Sequence, residues 1–374
     1  MKESTYQHSG STGRILFVAG YGGQFPDQLP EPLMQIQRCL SEHGSWTTDK
    51  IDASCHSAAQ MPGAFDKVGA MARRICESHI VHIIDDGHMP ILSGSLAALM
   101  LARFYGRKTI YHYCRPDGIV HVEKIQAMAV WVMGRADLIV VDSEAVAAVL
   151  EKRSVNALYV APTIADHVIC SRNLTALQPD IVVCGPLESF RNVGAAICAF
   201  QIVKEKYPRS ELTIIGEGSK QKHFETIIAR QRIAGVSFVG ECVAQHRSNL
   251  VGKADLYLDL SVPGSRADLM LEAMACGLPV VAAKGGVAHP LIRDGENGYL
   301  VSADRPGAAA DAIIGLVESN ETVSRLSAAA SKTAQNLSTS KAGGQWAEIY
   351  KSILSRSQKV DPSLQDVIAL TAES

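Results

Sequence analysis

The sequence predicts an α/β protein of two doubly wound domains, each a parallel sheet with helices on both faces. Three observations predict it. Short apolar runs rich in Val and Ile alternate with stretches of helical period. Many of these runs end in a glycine turn, as strands do where a βα unit folds back. The alternation lapses over residues 168–179 and then restarts. Continuous apolar runs suit strands covered on both faces, which is how a parallel sheet between helix layers reads. At 374 residues the chain exceeds one ordinary domain, and two domains flanking a cleft are the natural expectation.

In the first half, Arg14–Gly20 (RILFVAG) is a buried strand running into Tyr21-Gly22-Gly23, with a helical stretch over Pro32–His43 after it. Strand, glycine turn and helix open a nucleotide-binding-like unit with exposed amides at the turn, although the strict GxGxxG spacing is absent. Ser78–Asp85 is the next strand. The Asp85-Asp86-Gly87-His88 run at its end matches no established metal-ligand spacing and reads as a turn. A helix over Ser93–Tyr105, a strand over Lys108–Cys114 and a helix over Glu123–Gly134 follow. In that last helix Met128, Val130, Trp131 and Met133 read as core. Ala136–Ser143 is a strand feeding a helix at Glu144–Lys152, with Ser143 placed to cap it. Ala157–Ala161 is the last strand of this half, and Pro162–Asp166 breaks it.

In the second half, Asp180–Cys184 is a strand running into Gly185-Pro186, with a helix over Val193–Lys206. Glu211–Ile215 is a strand ending in Gly216-Glu217-Gly218. A helix over Lys220–Arg230 and strands at Val236–Val239 and Ala254–Leu260 come next. The helix Asp268–Ala275 places Leu269, Met270, Leu271 and Met274 on buried faces, while Glu272 faces another way. Gly277 ends it in a left-handed conformation, and Pro279 cannot continue it. Leu278–Ala283 is a buried strand, and Lys284-Gly285-Gly286 follows its carboxyl end, where ligands sit in open α/β sheets. Helices at Arg305–Glu318, Ser324–Gln335 and Gly343–Leu354 complete the chain, the last with Trp346, Ile349, Tyr350 and Ile353 at helical spacing. The organisation expected is a flexible N-terminus (1–13), a first domain (14–167), a linker (168–179), a second domain (180–342), a C-terminal helix (343–357) and a tail (358–374).

A formal charge of −2 argues against a nucleic-acid partner held by bulk attraction. Nine cysteines, odd in number and without a CxxC pair, fit a reduced cytoplasmic setting better than a disulfide scaffold. The first fourteen residues lack an apolar signal core, and no apolar run is long enough to span a bilayer. Membrane contact would therefore be peripheral, at the inner face, through basic residues such as Arg73, Arg74, Arg103, Arg107 and Lys108; scattered surface charge is the other reading of these.

Leu271-Glu272-Ala273-Met274-Ala275-Cys276-Gly277-Leu278-Pro279-Val280-Val281, followed by Asp294-Gly295-Glu296-Asn297-Gly298, resembles the donor-sugar segment of family 4 retaining glycosyltransferases. These are enzymes of the GT-B fold, in which two Rossmann-like domains face a central cleft. The resemblance extends over most of residues 14–355. It implies that Glu272 bonds the ribose hydroxyls of a nucleotide-sugar donor. It also implies that Gly185–Arg191 is the loop holding the donor diphosphate, with Arg191 in place of the family's lysine. The donor site implied comprises Gly185, Arg191, Gly216, Arg266, Asp268, Leu269, Glu272, Lys284 and Gly285. Gly20, Gly22, Gly23 and Cys114 lie on the acceptor side. Three positions depart from the pattern: Pro186 replaces an arginine, Gly264 a first glutamate, and Cys114 a cleft histidine. Arg266 and Lys284 are candidates to supply the charge Pro186 lacks. His112, on the same strand face as Cys114, is the candidate catalytic group beside Arg191 and Glu272, or else an ordinary strand histidine.

The activity implied is transfer from a nucleotide-diphosphate sugar to a saccharide, lipid-linked or small-molecule acceptor, in polysaccharide or glycoconjugate biosynthesis. The leaving diphosphate takes the acceptor's proton on the same face, so neither a paired carboxylate nor a metal or other cofactor is required. A catalytically inactive scaffold of the same fold is the alternative, with Pro186, Cys114 and Gly264 as its evidence; another enzyme of that fold, such as a sugar-nucleotide epimerase, is a third reading.

Overall fold

The computed structural model describes residues 13–20, 36–37, 40, 46–52, 64–85, 94–114, 127–142, 144–164, 166–169, 172–261, 267–286 and 291–355. They form two compact units, one drawn from 13–161 with 339–355, the other from 162–338.

The first unit holds β1 (Gly13–Gly20), β2 (Trp46–Asp52), α1 (Ala64–Glu77), β3 (Ile80–Asp85), α2 (Gly94–Phe104), β4 (Lys108–Tyr113), α3 (Ala127–Met133), β5 (Leu138–Val141), α4 (Glu144–Glu151) and β6 (Leu158–Tyr159). Its strands form one sheet in the order β2-β1-β3-β4-β5-β6, and every described pair is parallel. Successive side chains of a strand point to opposite faces, and here both faces are covered. Ile15 and Phe17 pack on one side with Ile80, Ile84 and Ile110; Leu16 and Val18 pack on the other with Val81, Ile83 and Leu99. The first of these faces also receives Trp346, Ile349, Tyr350 and Ile353 from the last helix, Thr339–Ser355, which starts four residues before its expected first turn.

The second unit holds β7 (Asp180–Cys184), α5 (Val193–Lys206), β8 (Glu211–Ile215), α6 (Gln221–Gln231), β9 (Val236–Gly240), α7 (Ala244–Val251), β10 (Leu256–Asp259), α8 (Asp268–Ala275), β11 (Val280–Ala283), β12 (Tyr299–Val301), α9 (Pro306–Val317) and α10 (Asn320–Asn336). The sheet order is β12-β11-β10-β7-β8-β9. From β7 the chain builds outward through β8 and β9, then returns to β7's other side to lay down β10, β11 and β12. Loops from β7 and β10 therefore diverge to opposite faces and leave a crevice between their carboxyl ends. One face of the sheet packs on α5 and α9 through Phe200, Ile197 and Ile313, the other on α8 through Met270, Leu271 and Met274. Gly277 ends α8 with φ +73°, and a Cβ there would lie 2.1 Å from the Arg172 carbonyl oxygen, so only glycine fits.

Four elements escape the sequence pattern. β2 (WTTDKID) is a polar edge strand, β12 has three residues, α1 carries Gly69 and a basic run, and α7 (AQHRSNLV) is short, polar and without a capping side chain. Trp131, expected in the core, is 56% exposed. The described part of its helix spans seven residues, in which Val132 and Met133 take the inward side. The cap expected at Ser143 and most of the helix expected over 32–43 lie outside the described residues.

In the first unit a buried polar contact ties the last helix to the sheet. His82 Nδ1 and Tyr350 Oη are 2.7 Å apart, and both side chains are fully enclosed. Burial, with His112 adding to it, holds the His82 imidazole well below its ordinary range, so it is neutral. Its Nε2 has no partner among the described residues. Tyr350→Phe would strip the other nitrogen too, and is expected to destabilise the protein by about 1–3 kcal/mol. Urea unfolding of the variant against wild type measures this, and an unchanged midpoint would show that the contact contributes nothing.

Candidate active site

β7 ends at Cys184, and the next residue, Gly185, has φ +129°. A Cβ at Gly185 would lie 2.4 Å from Arg191 Nε, so the absence of a side chain lets the guanidinium lie against this loop. Gly185 N donates to Ile215 O (2.9 Å), and Leu187 N donates to Glu217 O (2.8 Å), which zips the loops after β7 and β8 together. Gly216 (φ +134°) serves that packing: a Cβ on it would lie 2.1 Å from the Gly185 carbonyl oxygen. A single 3-10 turn, Ser189–Arg191, then brings the Arg191 side chain back over the strand ends.

Arg191 is 5% exposed, and its Nη1 donates to Asp259 Oδ2 at 3.3 Å. Asp259 ends β10, and its other oxygen accepts from Ser261 N (3.0 Å). Burial works to lower the guanidinium, yet Asp259 foremost, with Tyr257 and Asp268, leaves it raised. Arg191 is thus a fixed cation at the β7/β10 crevice.

Glu272 departs from expectation. It is 4% exposed and does not face away from the packed side. From Met270 to Ala275 every residue of α8 is buried, while Leu269 is only partly so. The carboxylate is accommodated by α7, which the sequence did not reveal: Arg247 Nε donates to Oε2 (2.9 Å) and Ser248 Oγ to Oε1 (2.5 Å). Burial lowers the Arg247 guanidinium, and Glu272, by charge and hydrogen bond, more than reverses this. The two ion pairs share a neighbourhood. The Cys184 thiol is driven up by burial and then by Glu272, with Arg247 and Arg191 pulling the other way. Asp268, half-buried in the first turn of α8, acts on both arginines.

The remaining donor-side candidates are more peripheral. Lys284 and Gly285 are exposed in the turn after β11, where Lys284 N donates to Val301 O (2.7 Å). Arg266 and Gly264 lie outside the described residues, as do Gly22 and Gly23 of the first unit; Gly20 is the last residue of β1. No His, Cys, Asp and Glu set converges at metal-ligand distance among the described residues of the second unit. Of the groups gathered here, Arg247, Ser248 and Asp259 were missed by sequence reasoning. The aspartate breaks an apolar strand (ADLYLDL), and that interruption was the one available signal.

In the first unit, His112 sits on β4 and is 2% exposed. Its Nε2 lies 2.6 Å from Asp142 Oδ1, and its ring stacks on His82 with centroids 5.5 Å apart. Cys114, just past the end of β4, is equally buried, and its N donates to Asp85 O (3.0 Å). Asp142, just past β5, was not singled out in the sequence.

Residues 173–333 match the family model described as Glycosyl transferases group 1. The chain is 26% identical over 178 residues to the phosphatidyl-myo-inositol mannosyltransferase of Mycobacterium leprae, covering 46% of each. It is 31% identical over 169 residues to the D-inositol 3-phosphate glycosyltransferase of Paenarthrobacter aurescens, covering 42% of this chain and 41% of the relative. These matches span about half the length of the curated relatives. In fold, the structure of Anabaena Alr3699/HepE in complex with UDP and glucose aligns at a TM-score of 0.71 with 18% identity, covering 90% of this chain and 99% of that one. The sucrose-phosphate synthase of Thermosynechococcus elongatus aligns at 0.70 with 14% identity, covering 91% and 99%. The chain thus has the GT-B fold of two Rossmann-like domains, and its second unit is similar in sequence, over residues 173–333, to the group 1 glycosyl transferase model.

Proposed function

We propose that this protein is a retaining glycosyltransferase of family 4 type that moves a sugar from a nucleotide-diphosphate donor to a saccharide, lipid-linked or small-molecule acceptor. The observation that carries this reading is the gathering of Arg191, Arg247 and Glu272 at the switch point of the second sheet, inside the segment that matches the group 1 model. Breaking the bond between an anomeric carbon and a diphosphate leaves negative charge on the leaving group, and cations already fixed in place stabilise it without reorganisation. Arg191 is the first such cation. Arg247 is the second and provides the charge that Pro186 does not, a role for which Lys284 is too exposed. Each Glu272 oxygen has a further lone pair for a ribose hydroxyl while α7 holds the carboxylate in place. Retention follows if the leaving diphosphate accepts the acceptor's proton on the face it departs from.

The exposed surface of the first unit supports peripheral contact with an anionic membrane. Met100 (57%), Phe104 (82%) and Trp131 (56%) are exposed large apolar side chains at the ends of α2 and α3. Arg103 Nη1 donates to the Arg135 carbonyl, and the Arg135 guanidinium stacks over Trp131 at 3.8 Å, joining the two ends into one aromatic and basic patch. Such a patch suits lipid headgroups, with rings at the interface and arginines on phosphate. The relative named for phosphatidyl-myo-inositol gives a lipid-linked acceptor further support. Among the described residues no helix is long and apolar enough to cross a membrane.

Removing Arg191 alone would strand Asp259, so the test replaces both. Arg191→Met with Asp259→Leu is expected to lower turnover at saturating donor by about 100-fold or more. An unchanged rate in a folded double variant takes Arg191 out of the mechanism. Glu272→Gln keeps an acceptor oxygen but removes the charge, and is expected to weaken UDP or GDP binding about tenfold by calorimetry; equal affinities would rule out a ribose contact. For the membrane, Phe104→Asp with Trp131→Ser is expected to abolish cosedimentation with vesicles of anionic lipid, and retained binding would refute the patch.

A further inference from the structure

We infer that His112, Cys114 and Asp142 form a Zn2+ site in the first unit. The three side chains offer an imidazole nitrogen, a thiol sulfur and a carboxylate oxygen, all within 4.8 Å of one another. They come from the carboxyl ends of neighbouring parallel strands. His112 lies opposite Val140, so continuing the register by two residues sets Cys114 opposite Asp142. The backbone at Cys114 is held by its bond to Asp85 O, and the His112 ring is held by its stack on His82 and by Trp346, with centroids 5.8 Å apart. His112 and Cys114 are therefore positioned before any ligand arrives.

Among the described residues, the His112 imidazole in this cluster is not satisfied. A neutral imidazole has one N–H and one lone pair. When Nε2 carries the hydrogen and donates to Asp142, Nδ1 is a buried acceptor with no partner among the described residues. When Nδ1 carries it, a lone pair faces a carboxylate oxygen across 2.6 Å. Zn2+ bound through Nε2 removes that clash, because the ring lone pair and the Asp142 oxygen then both face the cation while Nδ1 keeps its hydrogen.

Ligand chemistry selects the metal. Thiolate, imidazole and carboxylate together suit Zn2+, whose tetrahedral ligand atoms stand roughly 3–4 Å apart, and three protein ligands leave a fourth position for water or another small ligand. His112 and Cys114 are each 2% exposed whereas Asp142 is 27% exposed, so that fourth position opens on the Asp142 side. Binding forms a Zn–S bond and releases the thiol proton to solvent, so affinity rises with pH. The site is independent of the donor-side arginines and stands whatever the chain transfers.

The experiment treats the intact chain with chelator, removes the chelator and titrates it with Co2+ as a spectroscopic stand-in, then with Zn2+. One Co2+ per chain is expected, with a thiolate-to-cobalt charge-transfer absorption that Zn2+ abolishes by displacement. The band should vanish in Cys114→Ser and survive in Cys76→Ser and Cys198→Ser, which alter exposed cysteines. Asp142→Asn, at a partly exposed position less costly to change, should bind Zn2+ at least about tenfold more weakly. Absence of the band in wild type, its persistence in Cys114→Ser, or unaltered affinity in Asp142→Asn would each overturn the proposal.

Discussion

The second unit depends on burying an arginine at the carboxyl end of its sheet. A guanidinium cannot shed its charge, so Arg191 stays enclosed only because a carboxylate is built to meet it. Asp259 provides that carboxylate from the last residue of β10, and the two strands at the switch point are bridged by opposite charges. Local backbone follows from this. Gly185 must lack a side chain for the guanidinium to lie where it does, and Gly216 must lack one so that the neighbouring loop can close against Gly185. Arginine, aspartate and two glycines are one device, and none of the four is interchangeable in isolation.

The same logic recurs one helix away. Glu272 is buried on α8 and would be intolerable there without Arg247 and Ser248 on α7. Both cations of the crevice are thereby positioned and raised in basicity while already neutralised. An anionic ligand entering must compete with Asp259 and Glu272 for them. That competition favours ligands carrying several charges close together, since one charge exchanged for another gains little, and a diphosphate meets the condition.

Much of the fold was legible because parallel sheets announce themselves. DIVVC, ELTII and VVAA are apolar throughout, and both α5 and α8 have the limits their periodicity gives. Elements outside that signature were lost: β2 is polar and β12 very short, and α7 has neither an apolar stripe nor a cap. The loss of α7 mattered most, since it hid Arg247 and made Glu272 look solvent-facing. Pattern reading assigns a charged residue outward by default, and a partner on a separate helix is what overrides it. Cys114 was singled out through the family resemblance and His112 as its neighbour on the same strand face, but Asp142, on the next strand, is joined to them only by sheet register.

The two units share a construction and differ in the charge it presents. In each, polar side chains gather at the carboxyl ends of adjacent parallel strands: Cys114 and Asp142 just after β4 and β5, and Asp259 at the end of β10 with Arg191 laid against the loop after β7. That end of the sheet is where backbone and loops leave room for them. In the second unit the donors are arginines already matched to carboxylates, an arrangement that suits anions entering by exchange. In the first, an imidazole, a thiol and a carboxylate converge, and among the described residues the one positively charged partner within the cluster would be His112 itself if protonated. Acceptor-type atoms without a fixed cation create a local excess of lone pairs. A proton shared between His112 and Asp142 relieves part of this, whereas a metal ion is held by all three and replaces the long contacts of the Cys114 thiol to the Asp85 and His112 carbonyl oxygens.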